Sequence, residues 1–144
     1  MFIGEYTHTL DDKKRLSLPS KFRKEIGKKV VVTHGLDQCL FVFSVPRWET
    51  FGAKLTELSM GDRDTRGFVR FMLAGAVEVE VDTIGRILIP DFLKSFARLQ
   101  TRVIVTGVDN RIEVWDEAVW LSYKARIEQE ADVLAQKLGE LGVI

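Results

Sequence analysis

One cysteine, Cys39, stands in the whole chain, which excludes an internal disulfide and leaves this thiol, set between Gln38 and Leu40 in a strand-like run, to be read as a small core hydrophobe. No apolar run approaches the roughly 20 residues needed to span a bilayer. Met1 to Leu10 lacks the basic-then-apolar order of a signal peptide, so the cytoplasm is the expected location and no membrane partner is expected. Only two histidines are present. His8 lies in an alternating strand and His34 at a turn, so neither has the His/Cys/Asp spacing of a metal site. His34, Asp37 and Cys39 are the one grouping that resembles an enzyme's needs, and short polar turns commonly hold such residues. We therefore expect no catalysis, no metal, no cofactor and no small-molecule substrate.

Net charge is also missing, with 21 basic residues against 21 acidic ones. A strong overall positive field is thereby excluded, but the distribution is uneven. Residues 1–30 hold Lys13, Lys14, Arg15, Lys21, Arg23, Lys24, Lys28 and Lys29 against Glu5, Asp11, Asp12 and Glu25. Residues 113–144 reverse the balance, with Glu113, Asp116, Glu117, Glu128, Glu130, Asp132 and Glu140 against Lys124, Arg126 and Lys137. The chain has a basic end and an acidic end.

What the sequence does contain is a repeat. Asp11-Asp12-Lys13-Lys14-Arg15-Leu16-Ser17-Leu18-Pro19 lies over Asp82-Thr83-Ile84-Gly85-Arg86-Ile87-Leu88-Ile89-Pro90 at an offset of 82 − 11 = 71. Val30-Val31-Val32-Thr33 then matches Val103-Ile104-Val105-Thr106. Gly35-Leu36-Asp37 matches Gly107-Val108-Asp109 once His34 is skipped, and Trp48 falls on Trp120.

Each copy reads alike. Tyr6, His8 and Leu10, or Val77, Val79 and Val81, alternate as a half-buried strand does. The Asp-x-x-x-Arg segment reads as a β-hairpin turn, helped in the second copy by Gly85, with Leu16/Leu18 and Ile87/Ile89 on the return strand. Pro19 and Pro90 open short helices, the first stopped by Gly27. Strands follow at 30–33 and 39–43, and at 103–106 and 111–115. Ser44 and Asp116 are N-cap residues. The next helices carry Trp48, Phe51, Leu55 and Leu58, or Trp120, Tyr123, Ile127, Ala131, Leu134 and Leu138, on one face as core or subunit interface. Residues 62–74 form a further helix bearing Phe68, Val69, Met72 and Leu73. The repeats are placed at 5–58 and 76–144, with 59–74 connecting them.

The acid and the arginine of one such turn make an ordinary surface ion pair. Two in matched positions point to a held geometry, in which Asp11 or Asp82 accepts from turn amides and aims Arg15 or Arg86. Guanidinium suits bidentate contact with phosphate or guanine, and a two-stranded ribbon fits the major groove. Arg15 and Arg86 are thus the leading DNA contacts, with Lys13 and Lys14 for phosphate in the first turn and Lys21, Arg23 and Lys24 on the adjoining helix. The second turn offers only Thr83 and Gly85 beside its arginine, so the first copy is expected to hold phosphate more strongly.

Met1-Phe2-Ile3-Gly4-Glu5-Tyr6, then His8 through Pro19, and the second signature from Asp82 to Pro90, resemble the MraZ family over essentially the whole chain. The resemblance implies a tandem of SpoVT-AbrB-like units in an α+β, mainly β fold, a swapped-hairpin β-barrel with flanking helices. It also implies a homo-oligomeric ring of about eight to twelve subunits and sequence-specific binding to repeats in double-stranded DNA upstream of the division and cell-wall gene cluster, hence a nucleoid-associated transcriptional regulator. The family's DNA-contacting motifs fall on Asp11 to Arg15 and Asp82 to Arg86. One departure is Lys14, where the family commonly has glycine; if the turn needs positive φ there, Lys14 is strained. The rival reading is an antitoxin-like assembly protein whose hairpins bind protein partners.

Overall fold

A computed structural model describes residues 1–144. In chain order its elements are β1 (Phe2–Thr9), β2 (Arg15–Ser17), α1 (Ser20–Ile26), β3 (Lys29–His34), β4 (Leu40–Ser44), α2 (Val45–Thr56) and α3 (Arg63–Ala74). The second half follows with β5 (Val77–Glu80), β6 (Arg86–Leu88), α4 (Asp91–Phe96), β7 (Arg102–Asp109), β8 (Ile112–Asp116) and α5 (Glu117–Glu140).

Six strands form one antiparallel sheet in the order β1-β7-β8-β4-β3-β5. The repeats interleave within it: β1 of the first half pairs with β7 of the second, and β5 of the second with β3 of the first. Burial follows position in the sheet. The central strands β4 and β8 are buried along their whole length, whereas the outer β5 alternates half-buried valine with exposed glutamate.

Alternation of side chains sends the apolar residues to two cores. On one face Val30, Val32, Leu40, Val42, Val103, Val105, Ile112 and Val114 pack under α1, α4 and the strands β2 and β6. On the other, Phe41, Phe43, Ile104 and Trp115 meet Leu55 of α2 and Met72 of α3, with Trp120 and Tyr123 of α5 packed alongside. The helix caps expected from sequence are in place, Ser44 accepting from the Arg47 amide at 3.4 Å and Asp116 from the Ala118 amide at 3.2 Å.

Two expectations need correction. The closed barrel is absent, because β1 and β5 end the sheet without pairing to each other. Neither Asp-x-x-x-Arg segment closes an ordinary hairpin: after the single Leu10–Leu16 bridge, β2 leaves β1 and pairs with β6. The outer edges of β1 and β5 stay open, and β2 and β6 instead cross the sheet, where Leu16, Leu18, Ile87 and Ile89 cover its apolar face. The stripe on α5, expected as core or subunit interface, packs on the core of this chain only near its start. From Glu128 onward only Leu134 is even half-buried, so the apolar positions Val133 and Leu138 stay open to solvent.

Candidate nucleic-acid interface

The two signature turns are built from the same five hydrogen bonds. Asp11 Oδ1 accepts from the amides of Lys13 and Arg15, each at 2.9 Å, and its Oδ2 accepts from Arg15 Nε at 2.9 Å. Asp82 Oδ1 accepts from the amides of Ile84 at 3.1 Å and Arg86 at 2.8 Å, and its Oδ2 from Arg86 Nε at 2.7 Å. In the backbone, Lys14 N donates to Asp11 O and Gly85 N to Asp82 O, while the amides of Asp11 and Asp82 donate to the carbonyls of Arg15 and Arg86. The arginine backbone amide, with its guanidinium, holds each carboxyl below the ordinary aspartate range, so the acceptor stays charged. Both guanidinium groups are fixed through Nε alone. Their Nη ends, the part suited to bidentate contact, have no protein acceptor.

The ribbon then determines where these ends point. Arg15 lies opposite Leu88, Leu16 opposite Ile87 and Ser17 opposite Arg86. The pairing continues on both sides, with Ile89 N donating to Lys14 O at 2.8 Å and Leu18 N to Gly85 O at 2.9 Å. A pseudo-twofold axis therefore passes through the Leu16–Ile87 pair and exchanges the two turns. Alternation buries Leu16, Leu18, Ile87 and Ile89 beneath the ribbon and leaves Arg15, Ser17, Arg86 and Leu88 on its outer face. The two arginines are diagonal neighbours, roughly 7–8 Å apart at Cα.

Lys14 does adopt the left-handed conformation, with φ +62°, as its counterpart Gly85 does with φ +83°. Why the two positions carry different residues is clear from their neighbours. A Cβ on Gly85 would run into the Arg23 guanidinium, reaching Cζ at 2.6 Å, whereas Lys14 extends to an ion pair with Asp91 of α4. Left-handed backbone costs a non-glycine residue on the order of 1–2 kcal/mol, and an exposed ion pair returns at most about 1 kcal/mol. Lys14→Gly should accordingly stabilise the chain by about 0.5–1 kcal/mol, read as a higher urea midpoint; a lower midpoint would show that the ion pair outweighs the strain.

The remaining candidates separate. Lys13 and Thr83 are exposed at the turn tips. Lys21, Arg23 and Lys24 are exposed on α1, but Arg23 serves the second turn rather than the first, a connection across the repeats that sequence spacing did not indicate. The only available signal was the offset of 71, which sets Arg23 against Lys94 and Ser20 against Asp91. His34, Asp37 and Cys39 do not converge on a shared task. The His34 ring stacks on Phe71 at 4.5 Å and its Nδ1 faces the Phe71 carbonyl at 3.0 Å. Cys39 donates to Leu36 O at 3.1 Å, and burial, reinforced by Glu113, pushes its thiol far above the ordinary range.

Comparison with known proteins gives a consistent result. The MraZ family model, described as "MraZ protein, putative antitoxin-like", matches the chain twice, over residues 1–71 and 72–138. A protein of Acetivibrio thermocellus named "Transcriptional regulator MraZ" is 48% identical over 143 residues, covering 99% of this chain and 100% of that protein. Proteins of the same name from Alkaliphilus metalliredigens and Caldicellulosiruptor saccharolyticus are each 48% identical with the same coverage.

Proposed function

The chain belongs to the MraZ family, and from that premise we propose that it is a transcriptional regulator that binds double-stranded DNA through the outer face of the β2–β6 ribbon. The carrying observation is the pair of arginines, Arg15 and Arg86, each aimed by an aspartate through Nε with its Nη groups free on one face of a two-stranded ribbon. A ribbon of this width enters the major groove, where guanine offers O6 and N7 to a guanidinium. A separation of roughly 7–8 Å corresponds to about two base-pair steps, so both arginines can act in one groove segment. In this reading Lys13, Lys14, Thr83 and the backbone at Gly85 lie beside the phosphates, and Asp11 and Asp82 position the arginines.

The remaining parts of the proposal concern assembly and targets. The chain acts in the cytoplasm on the nucleoid, on repeats upstream of the division and cell-wall genes, its own included. It works as a homo-oligomeric ring of about eight to twelve copies, closed by cyclic symmetry. Two features support assembly: the unpaired outer edges of β1 and β5, and the apolar positions on α5 that no part of the same chain covers. Multiplicity also reconciles DNA binding with zero net charge, since several ribbons on one ring engage spaced repeats together.

Methylation of guanine N7 tests the readout directly. Duplexes from directly upstream of the chain's own coding sequence, lightly methylated at N7 and sorted into bound and free, should be depleted of methylated guanines within the repeats of the bound fraction. An even distribution of methylated guanines would overturn major-groove reading by the arginines.

A further inference from the structure

We propose that Arg23 is a third arginine of the DNA-contacting surface, a phosphate contact that belongs to the second signature turn although it stands in the first repeat. The inference rests on the DNA-binding reading above and extends it to a residue outside the signature turns.

Arg23 leaves α1 in the direction of the opposite repeat. Its Nε donates to the Leu18 carbonyl at 3.1 Å, and the amide of that same Leu18 donates to the Gly85 carbonyl at 2.9 Å. The guanidinium therefore lies flat against the second turn, in the space where any side chain at position 85 would begin; Cζ and Cδ would be 2.6 and 2.7 Å from such a Cβ. The residue is exposed, and its Nη groups have no protein acceptor. Glycine at 85 suits both the φ of +83° and this guanidinium, which a Cβ would push aside.

The pseudo-twofold partner of this arrangement differs in charge. At the first turn the position of Arg23 is taken by Lys94, which lines a cleft with Thr9, Asp11, Asp12 and Lys14. There Lys14 is already paired with Asp91. At the second turn the position of Asp91 is taken by Ser20, so no carboxylate stands where it would neutralise Arg23. The turn that looks poor in charge along the sequence carries an uncompensated cation supplied from the other repeat. An arginine held by one nitrogen, with its fork exposed beside a DNA-facing turn, is set up for a phosphate oxygen.

The test uses the full chain and a duplex from directly upstream of its own coding sequence. Arg23→Ala should reduce the slope of log affinity against log salt by about one, which is about tenfold in affinity near 0.1 M salt, and Arg23→Lys should restore most of that slope. Combined with Arg86→Ala, the loss should be less than additive, since both serve one turn; combined with Arg15→Ala it should be additive. A purely structural role through the Leu18 carbonyl would leave the salt slope where it is. An unchanged slope in Arg23→Ala, or coupling to Arg15 rather than Arg86, would overturn the proposal while leaving DNA binding intact. Failure of the unaltered chain to bind would overturn both readings together. Independent of DNA, Gly85→Ala should destabilise the chain less in the Arg23→Ala background than alone, and equal losses would refute the packing on which the inference stands.

Discussion

Replacing Arg15 and Arg86 together by alanine is expected to abolish retardation of a promoter duplex while leaving the fold and the assembly unchanged. Each guanidinium that grips a guanine edge contributes about 1–3 kcal/mol of discrimination, so the pair accounts for at least a 30-fold loss per ribbon, roughly. Where several ribbons of one assembly bind at once, the losses multiply. The fold should survive because the aspartates keep their bonds to the turn amides, and the lost side-chain pairs are part-exposed ion pairs contributing under about 1 kcal/mol each. The measurement is a binding titration in parallel with circular dichroism and size analysis. Undiminished binding would overturn the assignment of the ribbon as the DNA surface. Loss of a protein partner instead of DNA would favour the antitoxin-like alternative.

The second large effect lies one layer deeper. Leu16 sits on the pseudo-twofold axis opposite Ile87, fully buried between the ribbon and the sheet. Leu16→Ala removes methyl groups at the point where both repeats meet and should cost about 2–5 kcal/mol, depending on how far the ribbon can settle. The same change should also weaken DNA binding beyond what unfolding explains, because the ribbon holds Arg15 and Arg86 at their fixed separation. A loss under 1 kcal/mol, roughly, in urea unfolding would mean that the ribbon is not anchored through this pair.

The elements were legible because their signals are local. Period-two alternation marked β1 and β5, proline and the cap residues Ser44 and Asp116 marked helix starts, and Gly27 marked a stop. The aspartate-to-arginine geometry of the turns was also legible, since it spans four residues. Partner choice was not. Nothing in Leu16-Ser17-Leu18 says whether it will run back along β1 or cross to β6, because either arrangement buries the same leucines. That decision depends on the apolar sheet face that the ribbon covers, which is assembled from strands far apart in the chain. For the same reason Arg23 was read with the basic helix it sits on, when its side chain reaches a turn more than sixty residues away.

The pairing of β1 with β7 has a consequence for biogenesis. Phe2 meets Asp109 and Thr9 meets Arg102, so β1 has no sheet partner until β7 has been synthesised. At ordinary synthesis rates that interval is roughly 5–20 s. Throughout it an eight-residue strand beginning with an aromatic side chain is exposed in the nascent chain. A product truncated before residue 100 would keep that strand unpaired permanently, and an unpaired strand edge is a template for aggregation. Each half lacks the partner of one of its own outer strands, β7 for β1 and β3 for β5.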